Sequence, residues 1–233
     1  MMIPAPRLRI GVLIIGSLYW DERREEWRRS RLTMREVYDV RARIRYGRRS
    51  IGRDDTYTMV FSEKAAEGQV KVVRCQHDIS TPADLNVEAE ELWGAERNAS
   101  PDGSIASNWG CVALACNGSR PIPAEVAREW ANRARGQSCY GTIPHIVGEG
   151  SAVSYEGILQ IARPVIVATG EPVPIDLLIA TANKPTLTGE PLSYATPEAI
   201  AAAWRSGPAV RNDRVKYFRN NLAHGISTFE DDR

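Results

Sequence analysis

At 233 residues the chain has room for one domain of generous size, and 43% hydrophobic with 25% charged residues excludes a disordered or low-complexity polypeptide. A formal net charge of +1 excludes a global field for nucleic acid or for a membrane surface, and no apolar run approaches the roughly 20 residues of a membrane span. Only four of the 30 basic residues are lysines (Lys64, Lys71, Lys184 and Lys216), a bias that coding preference explains as well as anion recognition by planar guanidinium groups does.

Residues 10–16 form a continuous apolar run, as in a strand buried on both faces. Arg7 and Arg9 before it imitate a signal peptide. However, the run is short, no small-residue cleavage site follows, and the charged stretch "DERREEWRRSRL" begins at once, so a strand of a cytoplasmic protein is expected. "DERREEWRR" reads as a helical turn or two with i,i+4 charge pairs, and "EVYDVRARIRY" as a weak strand. "TYTMVFS" and "GQVKVVRC" are strong β runs, with "EKAAEG" between them as the turn of an antiparallel hairpin.

"STPADLNVEAEELWGAERN" opens a helix: Thr81 is placed to cap it, Pro82 suits the first helical position and Asp84 the first turn. Leu85, Ala89, Leu92 and Trp93 share its apolar stripe. "GCVALACN" is a short apolar strand. "IPAEVAREWANRARG" is an amphipathic helix with Val126, Trp130 and Ala134 on one face. The glycine-rich "GQSCYGTIPHIVGEGS" then reads as a mobile loop with Tyr140 and His145 as polar handles. "ILQIARPVIVATGEPVPIDLLIATA" gives two strands around a Gly170–Pro172 turn. Thr196, Pro197 and Glu198 open another helix, and "DRVKYFRNNLAHGI" forms the last. Without repeats or linkers, this pattern predicts a single α+β domain with a mixed, barrel-like sheet.

Cys75, Cys111, Cys116 and Cys139 form no C-x-x-C pair, and His77, His145 and His224 are scattered. Free thiols and no metal site are expected.

"IIGSLYWDERREEW" resembles the "GYGSL-W-P" start of the ChaC-type γ-glutamylcyclotransferases. Later features follow in the same order. "RYGRRSIGRDDTYTMVF" is similar to their Ser/Arg/Gly tract leading into a strand, "GQVKVVRC" to the strand after it, and "ELWGAERN" to their "L-x-x-R-E" helix. "ATANKPTLTGEPLSYATPEAIAAAWRSGPAVRN" is similar to their "G-T-x-x-N-P-x-Y-L-G … G-P-S-G-x-N" ending. Ile15 and Ala95 depart from the pattern, and Tyr217 stands in for a final tyrosine whose register falls at Val215 or Lys216. Residues 119–157 have no counterpart and form an insertion, expected to act as a lid or side wall.

The resemblance implies a barrel-like α+β fold and release of 5-oxoproline from a small γ-glutamyl amide, in the cytoplasm, with no metal or other cofactor. It places Glu96 in register with the family's catalytic glutamate. A carboxylate there would take the proton of the attacking α-amine and return it to the leaving amine. The strand end at Gly16, Ser17 and Leu18 would offer backbone N–H groups to the oxyanion, and Arg48 or Arg53 would pair with the substrate α-carboxylate. Tyr46 completes the substrate-binding set.

Each of these residues has a plainer role open to it. Gly-Ser after a strand also makes an ordinary turn. Glu88, Glu90 and Glu91 share the acidic helix with Glu96. Arg48, Arg49 and Arg53 also suit a solvated loop, and Tyr46 a packed core. The fold is equally compatible with a non-catalytic small-molecule-binding module. "RIRYGRRSIGR" suits nucleic acid, but the balancing acids argue against it. The expected partner is thus a small γ-glutamyl substrate, with no nucleic acid and no membrane; the oligomeric state is left open.

Overall fold

The computed structural model describes residues 7–53, 55–116, 122–144, 150–190, 192–205 and 213–232. The apolar run near the start becomes strand β1 (Ile10–Ile14), buried at every position because it has a strand on each edge. On one side lies β4 (Glu67–Cys75), antiparallel; on the other β8 (Leu177–Asn183), parallel. β6 (Gly110–Cys116) continues the sheet beyond β8, and the short β5 (Ala106–Ser107) ends it. Beyond β4 come β2 (Leu32–Ser50) and β3 (Thr56–Phe61), with the two-residue β7 (Val165–Ile166) also on β2. The order is β3-β2-β4-β1-β8-β6-β5. The chain is therefore α+β with one mixed sheet of eight strands, and its end strands β3 and β5 are not paired with each other among the described residues.

The expected β3–β4 hairpin does not form. The 19-residue β2 lies between the two strands, pairing β4 along its first part (Leu32↔Cys75 to Arg43↔Glu67) and β3 along its last (Ile44↔Phe61 to Ser50↔Thr56). β-branched and aromatic runs identify strands, but pairing partners follow from burial. "EKAAEG" (63–68), read as a hairpin turn, ends inside β4, and residues 62–66 connect the two neighbours of β2. Arg43 pins them by donating to the carbonyls of Glu63 (3.0 Å) and Ala65 (3.2 Å). The Gly170 turn does form, with Gly170 N–H donating to Ile166 at 2.8 Å, but the strand before it is only β7, and β7 pairs β2 rather than β8.

Among the described residues there are five helices: α1 (Glu25–Arg31), α2 (Pro82–Arg97) and α4 (Pro197–Arg205) on the sheet, α3 (Ala124–Ala134) against α2, and α5 (Asp213–Ala223) against α4. α2 begins as its sequence dictates. The Thr81 hydroxyl accepts from Asp84 N–H at 3.3 Å, the Asp84 carboxylate accepts from Thr81 N–H at 2.8 Å, and Pro82 follows the cap. Leu85, Ala89, Leu92 and Trp93 are buried. The helix stops at Asn98, which adopts a left-handed φ of 56°. Glu96 therefore sits in the last turn of α2. No helix among the described residues is long and apolar enough to cross a membrane.

Within the insertion, α3 packs on α2, joined by the Arg133–Glu90 ion pair at 2.5 Å. Tyr140 is 2% exposed, and its hydroxyl donates to the Val112 carbonyl at 2.7 Å. Gly136 (φ 80°) and Gly141 (φ 72°) take left-handed turns. His145 lies outside the described residues. Tyr140→Phe should cost about 1 kcal/mol, because the Val112 carbonyl loses a buried donor. A fall of about 2–4 °C in melting temperature is the expected reading; an unchanged melting curve would show that the hydroxyl contributes nothing.

Candidate active site

β1 ends at Ile14, and the chain then turns tightly. Tyr19 N–H donates to Gly16 O at 3.1 Å, Trp20 and Asp21 N–H to Ser17 O at 3.2 and 2.8 Å, and Arg28 Nη1 to Leu18 O at 2.9 Å. All three carbonyls of Gly16, Ser17 and Leu18 are thus taken. Their three N–H groups donate to no group among the described residues. This is the hydrogen-bonding state of the first turn of a helix, where successive N–H groups are left for an outside acceptor.

A Cβ on Gly16 would lie 2.7 Å from the Tyr217 hydroxyl. Gly16 is therefore needed first by the buried Tyr217 of α5. Leu18 is buried in the core, so its contribution to a site is limited to its backbone.

Arg53, after β2, closes over this turn. Its Nη2 donates to Ser17 Oγ at 2.7 Å and to Asp21 at 3.2 Å. Asp21 also holds Arg23 at 2.6 Å. Burial pushes the Asp21 carboxyl up, but its hydrogen bonds from Arg23 and Arg53 outweigh that and hold it well below the usual carboxylate range. A depressed acid stabilises the fold above its unfolded pKa of roughly 3.9, and the stabilisation is lost as pH falls through the folded value. Asp21→Asn should therefore be less stable than the parent at pH 6, with the gap shrinking as pH falls below about 4. Urea unfolding across that range tests it; a gap that stays constant would remove Asp21 from the account. Beside Arg53 a cleft of about 280 Å³ opens between Trp20, Lys216, Tyr217 and Asn220.

Arg48 and Tyr46 stand two apart on β2, and regular alternation would send both to one face. A bulge intervenes. Tyr46 pairs Met59, Arg48 pairs the adjacent Thr58, and Gly47 is the extra residue between them. A Cβ at Gly47 would meet Val60 at 2.5 Å and Tyr194 at 2.8 Å, so the bulge needs glycine. Tyr46 consequently turns into the core with 0% exposure, edge-on to Trp204 at 4.9 Å, and is not brought beside Arg48. Arg48 goes the other way. Its guanidinium lies 4.4 Å over the ring of Trp109, which stacks at 4.8 Å on Trp93 of α2.

The Arg48 guanidinium makes no hydrogen bond or ion pair with any described residue. Burial depresses its pKa, while the charges of Glu96 and Tyr217 oppose the shift; an arginine stays protonated regardless. Glu96 is half-buried, and Thr181 of β8 donates its hydroxyl to Glu96 Oε2 at 3.2 Å. Arg24 reaches the same helix end, donating to the Glu96 main-chain carbonyl at 3.2 Å and to Asn98 at 2.7 Å. Burial raises the Tyr217 phenol, with Arg53 opposing and Glu96 reinforcing the rise. Tyr217 thus lies within the fields of both Arg53 and Glu96 while its hydroxyl touches Gly16.

Arg53, from the turn after β2, holds Ser17, while Glu96 at the end of α2 acts through its charge on Arg48 of β2 and on Tyr217, which lies against Gly16. A roomier cleft, about 550 Å³, lies elsewhere between Arg7, Arg31, His77 and Glu88. There Arg31 pairs Glu88 at 2.5 Å, Asp78 pairs Arg74 at 3.0 Å, and Asp84 caps α2. Among the described residues no group of His, Cys, Asp and Glu is arranged to hold a metal ion. Cys75, Cys111 and Cys139 are free and buried.

No protein-family model, curated protein or solved structure matches this chain. The site thus rests on its own geometry. Sequence reading missed Trp109, Thr181 and Arg24. Trp109 and Arg24 carry no local signal, since they arrive from distant segments. Thr181 stands inside "ATANKP", the motif compared with the family's "G-T-x-x-N-P". The "GPAVRN" part of that ending lies outside the described residues.

Proposed function

We propose that this chain is a γ-glutamylcyclotransferase-like enzyme that releases 5-oxoproline from a small γ-glutamyl amide, using Glu96 as the single base and acid. The observation that carries the reading is the meeting of three kinds of group: three backbone N–H donors without acceptors, an arginine without an anion, and a half-buried carboxylate. Such a set is complementary to a molecule with a carboxylate, an amine and a carbonyl that develops negative charge.

The chemistry follows from the placement. Arg53 is committed to Ser17 and Asp21, so Arg48 is left to take the substrate α-carboxylate. Glu96 removes a proton from the α-ammonium group. The freed nitrogen attacks the γ-carbonyl carbon, and the five-membered ring closes. The carbonyl oxygen becomes an oxyanion, held by the N–H groups of Gly16, Ser17 and Leu18. Glu96 then returns its proton to the leaving nitrogen as the carbon–nitrogen bond breaks and the carbonyl re-forms, takes the second proton from the ring nitrogen, and passes it to the released amine. Holding amine and carbonyl in one folded conformation supplies much of the rate, since the reaction is intramolecular. No step calls for a metal. In this reading Arg24 supports the helix end beside Ala95, the sheet is the family's barrel-like sheet, and the insertion is a fixed wall near Arg48.

The test is 5-oxoproline release from a panel of glutathione, γ-glutamylalanine and γ-glutamyl-p-nitroanilide. Turnover of at least one, without added metal, is expected. Tight binding of 5-oxoproline with no turnover of any would return the chain to a non-catalytic binding module.

A further inference from the structure

Glu96 stands one residue before the end of α2, where a helix frays, on a side chain with three rotatable bonds. A base so placed needs a fixed partner. The charged groups around it do not supply one. Arg24, ahead of α1, bonds its main-chain carbonyl rather than its carboxylate. Arg48 of β2 and Tyr217 of α5 act on it through their fields without a hydrogen bond. Arg31 of α1 and Arg133 of α3 are committed to Glu88 and Glu90, earlier on the same helix. Among the described residues the one hydrogen-bond donor to the Glu96 carboxylate is the Thr181 hydroxyl, at 3.2 Å.

Thr181 is well suited to hold it. β8 is buried at all seven positions, "LLIATAN", and is paired on both edges, to β1 and to β6. A strand so held does not yield, and the β-branched side chain adds a restricted χ1. A hydroxyl in such a strand, 5% exposed among Leu177, Leu178, Ile179, Ala180 and Ala182, needs a polar partner, and Glu96 is that partner. Core packing alone would be served as well by valine, which has the same shape.

Resting on the reading of Glu96 as base and acid, we propose that Thr181 is its positioning residue. Thr181 fixes the direction of the carboxylate that must accept the substrate's proton.

Thr181→Val, Thr181→Ser and Glu96→Gln are compared on the same γ-glutamyl panel. Thr181→Val should keep its melting temperature and its KM within about threefold. Its kcat should fall roughly 10- to 100-fold, as expected for a reacting group displaced by a fraction of an ångström or more. Thr181→Ser, which keeps the hydroxyl, should restore kcat. If Glu96→Gln is inactive while Thr181→Val keeps the parent kcat, the positioning role is wrong and the catalytic reading stands. If Glu96→Gln is fully active, or the parent turns over nothing on the panel, the reading fails and takes this role with it.

Discussion

Glu96→Gln should abolish turnover, by roughly a thousandfold or more, while leaving the fold intact; general acid–base catalysis by a single side chain is worth about 10²–10⁴. The substitution is nearly isosteric. The glutamine carbonyl oxygen still accepts from Thr181, so the contact at 3.2 Å survives. Glu96 is half-buried rather than enclosed, so the loss of its charge removes only part of the field felt by Arg24 and Arg48. What disappears is the ability to take the α-ammonium proton and to deliver it to the leaving nitrogen. In the proposed reading binding rests on Arg48 and the Gly16–Leu18 turn, so affinity for 5-oxoproline should remain within about threefold, a change of under 1 kcal/mol. Steady-state rates and a binding isotherm on the same preparation separate the two effects. Full activity would end the proposed role, and equal losses of rate and of 5-oxoproline affinity would make Glu96 a binding residue instead.

Local sequence carried some parts of this site and not others, for identifiable reasons. The start of α2 is written in Thr81, Pro82 and Asp84, each of which acts on its own backbone, and all three act as expected. β1 was legible because an uninterrupted apolar run must be covered on both faces. The exchange of neighbours around β2 was not legible. Its charged first half looks like a weak strand, yet it is the longest in the sheet and separates two stronger ones. The direction of Arg48 was hidden by one residue: strict alternation groups it with Tyr46, and the bulge at Gly47 parts them. The burial of Tyr140 was not legible either, because its partner, the Val112 carbonyl, lies 28 residues away on β6.

The bulge makes Arg48 the residue on which recognition of the substrate α-carboxylate should turn. Arg48→Ala should raise KM for a γ-glutamyl amide about 100-fold, since a charge-assisted pair of hydrogen bonds is worth about 1.5–3 kcal/mol. The change in kcat should be smaller, because Glu96 and the backbone donors are untouched. Arg48→Lys keeps the charge but loses both the planar fork and its stack on Trp109, 4.4 Å away, so an intermediate loss near tenfold is expected. A 4-aminobutyryl amide separates this role from general damage. It retains the amine and the reacting carbonyl, closes the same five-membered ring, and lacks only the α-carboxylate. The parent should prefer the γ-glutamyl compound by about 100-fold in kcat/KM, and Arg48→Ala should treat the two nearly alike. If the preference survives in Arg48→Ala, the carboxylate is read elsewhere. Arg53 then becomes the residue to test, although its commitments to Ser17 and Asp21 would have to break to free it.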